Sequence, residues 1–338
     1  MPITIAIDAM GGDHGIDVTL PAVSAFLKKE PQAHVLLVGP QEQLQPKLGF
    51  YGLAAKPNIN IIDAREVIAM DDDLVTALRR KRDSSMRVAV EQIKQQQAQA
   101  MVSAGNTGAL MAISRMVLKT LPGIDRPAIC TAIPTKKNHC YMLDLGANVE
   151  ADAEHLLQFA LMGNAVAQAV DGNTSAKIGL LNIGEEEIKG HDTIKAAAEL
   201  LSQHPSLNYI GYVEGNTVFE GAADVVVCDG FVGNIALKTM EGVASMIGQM
   251  LKNEIQMSWS RKITALLAVP IFKGLQAQAN PQRYNGATLV GLNGIVVKSH
   301  GGATVEGFEA AIHVAFREAK RDVLALISQA LAVTEPAK

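Results

Sequence analysis

Short runs of β-branched and apolar residues alternate with helical patterns along nearly all of the 338 residues, and no other feature restricts the fold as strongly. The runs are Ile3–Asp8, His34–Val38, Asn60–Asp63, Ala100–Ser103, Ala128–Ile133, Tyr141–Asp144, Lys177–Leu181, Asn208–Val213 and Asp224–Cys228. Helical patterns stand between them at Met86–Gln97, Thr107–Leu118, Ala153–Ala169 and Thr193–Gln203, and a last one covers Ala303–Leu331. Parallel strands need a crossover between them, which these helices supply. The order therefore predicts a Rossmann-like three-layer α/β/α fold with a mainly parallel sheet buried on both faces. Two further strands, Ala287–Val290 and Gly294–Val297, flank Gly291-Leu292-Asn293 and read as a hairpin. No Ser/Gly-rich linker, charge block or repeat divides the chain. It reads as one α/β catalytic domain over residues 1–338 with a helical extension at 235–280.

Composition removes several function classes. An apolar share of 48% excludes a disordered chain. A balance of 30 basic against 34 acidic residues, with 4% aromatics, argues against a nucleic-acid binder, which needs a basic face or a stacking platform. The first strand meets Asp8 after a few apolar residues and has no basic region before it, unlike a signal peptide. No uninterrupted apolar stretch approaches the roughly 18 residues of a membrane-spanning helix. Cys130, Cys140 and Cys228 are too few and too scattered for a disulfide framework or a Cys-x-x-Cys site and are expected as buried thiols. The histidines form no His-x-x-x-His pair, and the clusters Asp71–Asp73 and Glu185–Glu187 lack an EF-hand frame. No metal or cofactor is expected.

In open parallel sheets, ligands bind beyond the carboxyl ends of the strands. Six Gly-containing loops are expected there, along one sheet edge: Asp8–Gly15, Ser103–Gly108, Asp144–Asn148, Asn182–Gly190, Asp229–Asn234 and Lys298–Gly302. A glycine loop that opens a helix lets the backbone approach an anion and aims free N–H groups at it. The Gly-x-Gly-x-x-Gly and Walker A patterns are absent, as is the Gly-x-Ser-x-Gly elbow of a serine nucleophile. The expected ligand is phosphate, held without a covalent enzyme intermediate.

Particular side chains carry two readings each. Ser103, Asn106 and Thr107 are donors suited to phosphate oxygens, and Asn106 also suits a helix N-cap. Lys189 is either a cation for the site or half of a surface ion pair with Glu185, Glu186 or Glu187. Asn234 either caps the following helix or offers its amide to a developing negative charge. His300 binds an anion or transfers a proton. Asp8 and Asp13, acidic beside an anion site, are expected to orient the loops. Gly11, Gly12, Gly105, Gly108, Gly146 and Gly233, with Asp144 and Asn148, complete the candidate binding set.

A second feature follows Asn234. Ile235–Met257 is a long amphipathic pattern containing Met240, Met246, Met250 and Met257. Trp259, Arg261 and Lys262 then lead into an apolar run, Ile263–Phe272, too short to span a bilayer. It reads as a segment lying in a membrane interface, or as a dimer or core contact.

Six motifs stand in order along essentially the whole chain: Asp8–Asp13 (DAMGGD), Ser103–Ala109 (SAGNTGA), Asp144–Asn148 (DLGAN), Asn182–Gly190 (NIGEEEIKG), Cys228–Asn234 (CDGFVGN) and His300–Gly302. In these the sequence resembles the bacterial phosphate acyltransferases of the PlsX family. Ile16 is a departure, since the family usually has a proline near that position. The resemblance implies transfer of a fatty acyl group from acyl carrier protein to inorganic phosphate, giving an acyl phosphate for phospholipid synthesis. It implies a fold similar to the isocitrate dehydrogenase and phosphotransacetylase group, and a homodimer. It also implies a cytoplasmic protein attached peripherally to the inner face of the membrane, where a glycerol-3-phosphate acyltransferase takes the product. On this reading Ser103, Asn106 and Thr107 cradle phosphate and Lys189 offsets its charge. Asn234 donates to the thioester carbonyl, and His300 assists the leaving thiolate. A phosphate acetyltransferase using coenzyme A, a metal- and NAD-dependent decarboxylating dehydrogenase of related fold, and a membrane scaffold are the alternatives.

Overall fold

A computed structural model describes residues 2–270, 274 and 285–332. The chain opens with β1 (Thr4–Asp8), α1 (Ile16–Lys29), β2 (His34–Gly39), α2 (Gln41–Leu48) and β3 (Ile59–Asp63). A π-helical turn at Thr76–Arg80 leads to α3 (Ser85–Lys94), β4 (Ala100–Ser103) and α4 (Thr107–Leu118). Next come β5 (Ala128–Pro134), β6 (His139–Leu143), α5 (Ala153–Asp171), β7 (Lys177–Leu181), α6 (Asp192–Gln203) and β8 (Asn208–Val213). A short turn of helix, Thr217–Glu220, precedes β9 (Val225–Val227), α7 (Gly230–Gln256) and α8 (Trp259–Leu267). The hairpin β10 (Ala287–Val290) and β11 (Ile295–Lys298), then α9 (Val305–Lys320) and α10 (Val323–Ala332), complete the order.

Every strand coincides with an apolar run of the sequence, and together they form one 11-stranded sheet ordered β3-β2-β1-β4-β11-β10-β5-β6-β9-β7-β8. Successive side chains point to opposite faces. In β1, Ile5 and Ile7 pack beneath α1, α2 and α9, while Ala6 faces α3 and α4. In β9, Val225 and Val227 join the α5 and α6 layer, and Val226 turns to the α7 side. Both faces are covered, which is why the strands read as continuous apolar runs.

The sheet is not parallel throughout. β10 is antiparallel to β11 and to β5, and β5 is antiparallel to β6. All other neighbouring pairs are parallel. The block β6-β9-β7-β8 therefore runs opposite to the block β3-β2-β1-β4-β11, and the carboxyl ends of the two blocks lie on opposite edges. The expectation that six loops share one edge is corrected here. The hairpin and the β5-β6 return each reverse the chain, and apolar alternation carries no sign of direction.

Local chemistry explains where the helices begin and end. α5 opens with a capping box between Asp152 and His155 and closes at Gly172, in the left-handed region at φ 72°. Ile16 is the first residue of α1, the helical position at which proline and an ordinary residue share a backbone conformation. The single helix expected over Ala303–Leu331 is two, because Asp322 adopts φ 50° and its carboxylate accepts from Ala325 N at 3.3 Å, starting α10 afresh.

The long helix begins earlier than its pattern suggests, at Gly230, behind an Asp229 cap that accepts from Val232 N at 2.8 Å. Its first turns pack on the sheet through Ala236, Leu237 and Met240. Beyond them Met246, Ile247 and Met250 are exposed, as are Trp259, Leu266 and Leu267 of α8, so this arm stands off the sheet. Of the expected extension 235–280 and the run Ile263–Phe272, residues 271–273 and 275–280 lie outside the described residues. No described helix is long and apolar enough to cross a membrane. All three cysteines are buried free thiols.

Candidate functional site

β1, β4 and β11 are neighbours in register, with Ile7 opposite Val102 and Lys298 opposite Ser103. Each runs into a glycine loop and then a helix, so the N-termini of α1, α4 and α9 gather at one edge. Their N–H groups and dipoles favour an anion there.

A buried knot holds the three loops. Asp8 is fully buried and accepts from Ser103 Oγ at 2.6 Å and from Met10 N at 3.3 Å. Ser103 Oγ in turn accepts from Gly105 N at 3.0 Å. Burial raises the Asp8 carboxyl above the usual carboxylate range, opposed by hydrogen bonds from Ser103, Ser85, Met10 and Gly11. The approach is close enough that a Cβ at Gly11 would lie 2.6 Å from the Asp8 carboxylate and 2.8 Å from Gly105 N. Asp13 N donates to Gly301 O at 2.9 Å, joining the first loop to the last.

This places the sequence candidates individually. Asp8 ties the first loop to the second through its bond with Ser103 Oγ. Ser103 is wholly committed to the knot. Asn106 caps α4, its Oδ1 accepting from Ala109 N at 2.9 Å, and its Nδ2 donates to Met70 O at 2.8 Å, so neither end faces a ligand. Asp13, Thr107, Gly108 and His300 are exposed at the same edge. His300 Nδ1 accepts from Gly302 N at 3.1 Å, which leaves Nε2 as the protonated nitrogen and an outward donor. Asn285 Oδ1 accepts from His300 N at 3.0 Å and steadies the loop.

A second knot lies at the carboxyl ends of β6, β7 and β9. Asp144 is buried and accepts from Ile129 N, Ala147 N, Asn148 N and Asn148 Nδ2 at 2.6–3.1 Å. Burial raises its carboxyl as well, against those same hydrogen bonds. Asn148 O accepts from Gly230 N at 2.8 Å, tying the loop to the start of α7. Gly233 is packed so tightly that a Cβ would fall 1.9 Å from Asp144 O. Gly146, at φ 121°, lies beneath the Asn234 side chain.

Asn234 lies inside α7 and does not cap it, since Asp229 holds that position. Its amide is exposed and has no hydrogen-bond partner among the described residues. Lys189 is exposed too, and among the described residues no carboxylate stands within ion-pair distance of it, so the ion pair with Glu185–Glu187 does not form. Its loop is held by Asn182 Nδ2, which donates to Gly184 O and Lys189 O.

Sequence reasoning missed Lys298. It ends β11, is 9% exposed, and donates to Ala104 O at 3.3 Å and to Ser299 O. Burial first, then the Lys238 ammonium, pushes its pKa down to about 8, with Asp13 and Asp8 opposing. The available signal was a charged residue closing an otherwise apolar strand just before Ser-His-Gly-Gly. Lys238 also shows that α7 leads back across the sheet from the second loop group toward the first. Among the described residues no three His, Cys, Asp or Glu side chains gather as a metal-binding group.

A family model described as fatty acid synthesis protein matches residues 3–326. A phosphate acyltransferase of Alcanivorax borkumensis is 60% identical over 332 residues, covering 98% of both chains. One from Legionella pneumophila is 52% identical over 325 residues, covering 96% of this chain and 95% of its own. Among solved structures, a phosphotransacetylase from Streptococcus pyogenes superposes with a TM-score of 0.66 at 19% identity, over 94% of both chains. The EutD phosphotransacetylase from Staphylococcus aureus gives 0.62 at 15% identity, also over 94% of both. At these identities the structural likeness speaks for the fold, a phosphotransacetylase-like α/β sandwich.

Proposed function

The chain belongs to the fatty acid synthesis protein family that includes the phosphate acyltransferases, and is an acyltransferase; on that premise we propose that it transfers a fatty acyl group from acyl carrier protein to inorganic phosphate. The observation that carries the reading is the gathering of three glycine-lined helix N-termini, those of α1, α4 and α9, on the adjacent strands β1, β4 and β11. Such a cradle suits a small dianion.

Phosphate is already a nucleophile, so the protein need only align it, offset charge and stabilise the oxyanion. A phosphate oxygen attacks the thioester carbonyl carbon, forming the C–O bond as the carbonyl pair moves onto oxygen. Return of that pair breaks the C–S bond and releases the carrier thiolate, which takes up a proton. Gly12, Thr107, Gly108 and Gly301 offer backbone donors to phosphate, while Ser103, Asn106 and Asp8 hold those donors in place. The unpartnered Asn234 amide donates to the oxyanion and the unpaired Lys189 ammonium reduces charge repulsion. His300 Nε2–H serves the leaving sulfur. α7 links the two loop groups, with Asn234 one turn before Lys238.

The test is phosphate-dependent thiol release from palmitoyl-acyl carrier protein, run beside palmitoyl-coenzyme A, with acyl phosphate trapped by hydroxylamine. Release from the carrier-bound substrate supports the reading, and release from coenzyme A alone assigns a phosphate acyltransferase of the coenzyme A type. No release from either refutes phosphate transfer.

The product, an acyl phosphate, is amphiphilic and suits delivery at a cytoplasmic membrane face to a glycerol-3-phosphate acyltransferase. The exposed Trp259, Leu266 and Leu267 beside Arg261 and Lys262 support a peripheral lipid contact of a homodimer. Replacing Leu266 and Leu267 by Glu should abolish co-sedimentation with anionic vesicles while the melting curve is kept. Unchanged sedimentation assigns the segment to a protein contact.

A further inference from the structure

Lys298 is the single buried lysine or arginine among the described residues. Its ammonium bonds two carbonyl oxygens, Ala104 O and Ser299 O, and has no carboxylate within ion-pair distance among the described residues. The charged groups facing it are Lys238 from α7, Asp8 at the end of β1 and Asp13 in the loop before α1. Lys238 is itself paired with Glu241 at 2.9 Å. Asp8 is bonded to Ser103, and its burial disfavours the charge that would balance Lys298. A desolvated cation facing a second cation is unfavourable unless an anion completes the set. That anion would sit where the glycine loops after β1, β4 and β11 converge. Ala104, which accepts from Lys298, packs against Gly12 so closely that a Cβ there would lie 2.9 Å from its methyl.

We propose that Lys298, with Lys238 facing it from α7, forms the cation pair that binds inorganic phosphate and sets the affinity of the enzyme for it. The proposal rests on the phosphate-transfer reading above and adds the residues that recognise the nucleophile. Holding the dianion between two ammonium groups favours its reactive charge state and neutralises it before the carbonyl approaches. Binding in turn stabilises the ammonium form of Lys298, so binding at alkaline pH takes up a proton.

The experiment measures phosphate binding to the full-length chain by calorimetry from pH 6.5 to 9.5, and the phosphate KM at saturating acyl donor. Wild-type affinity should weaken above about pH 8, where free Lys298 loses its proton, by up to about tenfold per pH unit. Lys298→Gln should weaken phosphate binding roughly 100-fold or more and leave the KM for the acyl donor unchanged. Lys298→Arg should restore binding and remove the alkaline step, because a guanidinium stays charged throughout. A purely structural tie to Ala104 predicts none of this pH behaviour. Phosphate affinity in Lys298→Gln within about threefold of wild type, or an alkaline step that persists in Lys298→Arg, overturns the proposal. If Lys298→Gln fails to fold, Lys238→Gln decides, since it must also weaken phosphate binding. Calorimetry separates this inference from the catalytic reading: an enzyme that binds phosphate through Lys298 but releases no thiol keeps the site and loses the reaction.

Discussion

Glu318 offers the sharpest test of how this core is balanced. It sits on α9, 2% exposed, with Oε1 accepting from Thr288 Oγ1 at 2.6 Å and Oε2 without a partner among the described residues. It lines a cavity of about 150 Å3 with Cys130, Tyr141, Asp171, Thr288 and Arg317. Burial pushes its pKa up from 4.5 to about 7, against the Thr288 hydrogen bond and the Arg317 charge. In the unfolded chain the carboxyl ionises near 4.5, while in the native protein it keeps its proton until about 7. Stability is therefore undiminished below the lower value, falls as pH rises between the two, and stays reduced above the upper one. The gap corresponds to about 3 kcal/mol. Glu318→Gln removes the titration and keeps the acceptor for Thr288. Its advantage over wild type should be small at pH 4.5 and grow to about 3 kcal/mol by pH 8, roughly 5 °C in melting temperature. Urea titrations of both proteins at several pH values measure it. A difference that does not change with pH would refute the idea that Glu318 is held protonated by burial.

Three further outcomes follow from the site. Asn234→Ala and Lys189→Ala should each lower kcat by ~100- to 1000-fold with unchanged melting curves, and near-normal turnover in either purified variant removes that residue from the chemistry. Gly233→Ala drives a Cβ to 1.9 Å from Asp144 O and should destabilise by roughly 1–3 kcal/mol or more while displacing Asn234; a wild-type urea midpoint with full activity would contradict that packing. Gly242→Ala, in the same helix with nothing within 4 Å of the new methyl, should instead stabilise by up to about 1 kcal/mol, read from the same midpoint.

Much of this was legible in the residues because burial on both faces writes strands as plain apolar runs. All eleven strands appear in the sequence at nearly their final bounds, and Thr107–Leu118 is a helix over the same residues in both. Where two roles were open, geometry chose between them. Asn106 became a cap because its Oδ1 meets Ala109 N, and Asn234 did not because Asp229 already occupied the start of α7. The break at Asp322 escaped notice because apolar periodicity continues through it and only a positive φ marks the end.

Strand positions, the glycine loops and the family motifs are properties of the sequence alone, since they depend on residue type and spacing within a few positions of each other. Strand direction is not of that kind. It depends on β10, β5 and β6 pairing antiparallel in the middle of the sheet, which sends the Asp144, Lys189 and Asn234 loops to the edge opposite Asp8, Ser103 and His300. Only the tertiary structure decided which loops face one another and that α7 leads back between them. The burial of Lys298 beside Lys238 is decided there too, because the repulsion exists only once residues 60 positions apart in sequence are packed against the same face.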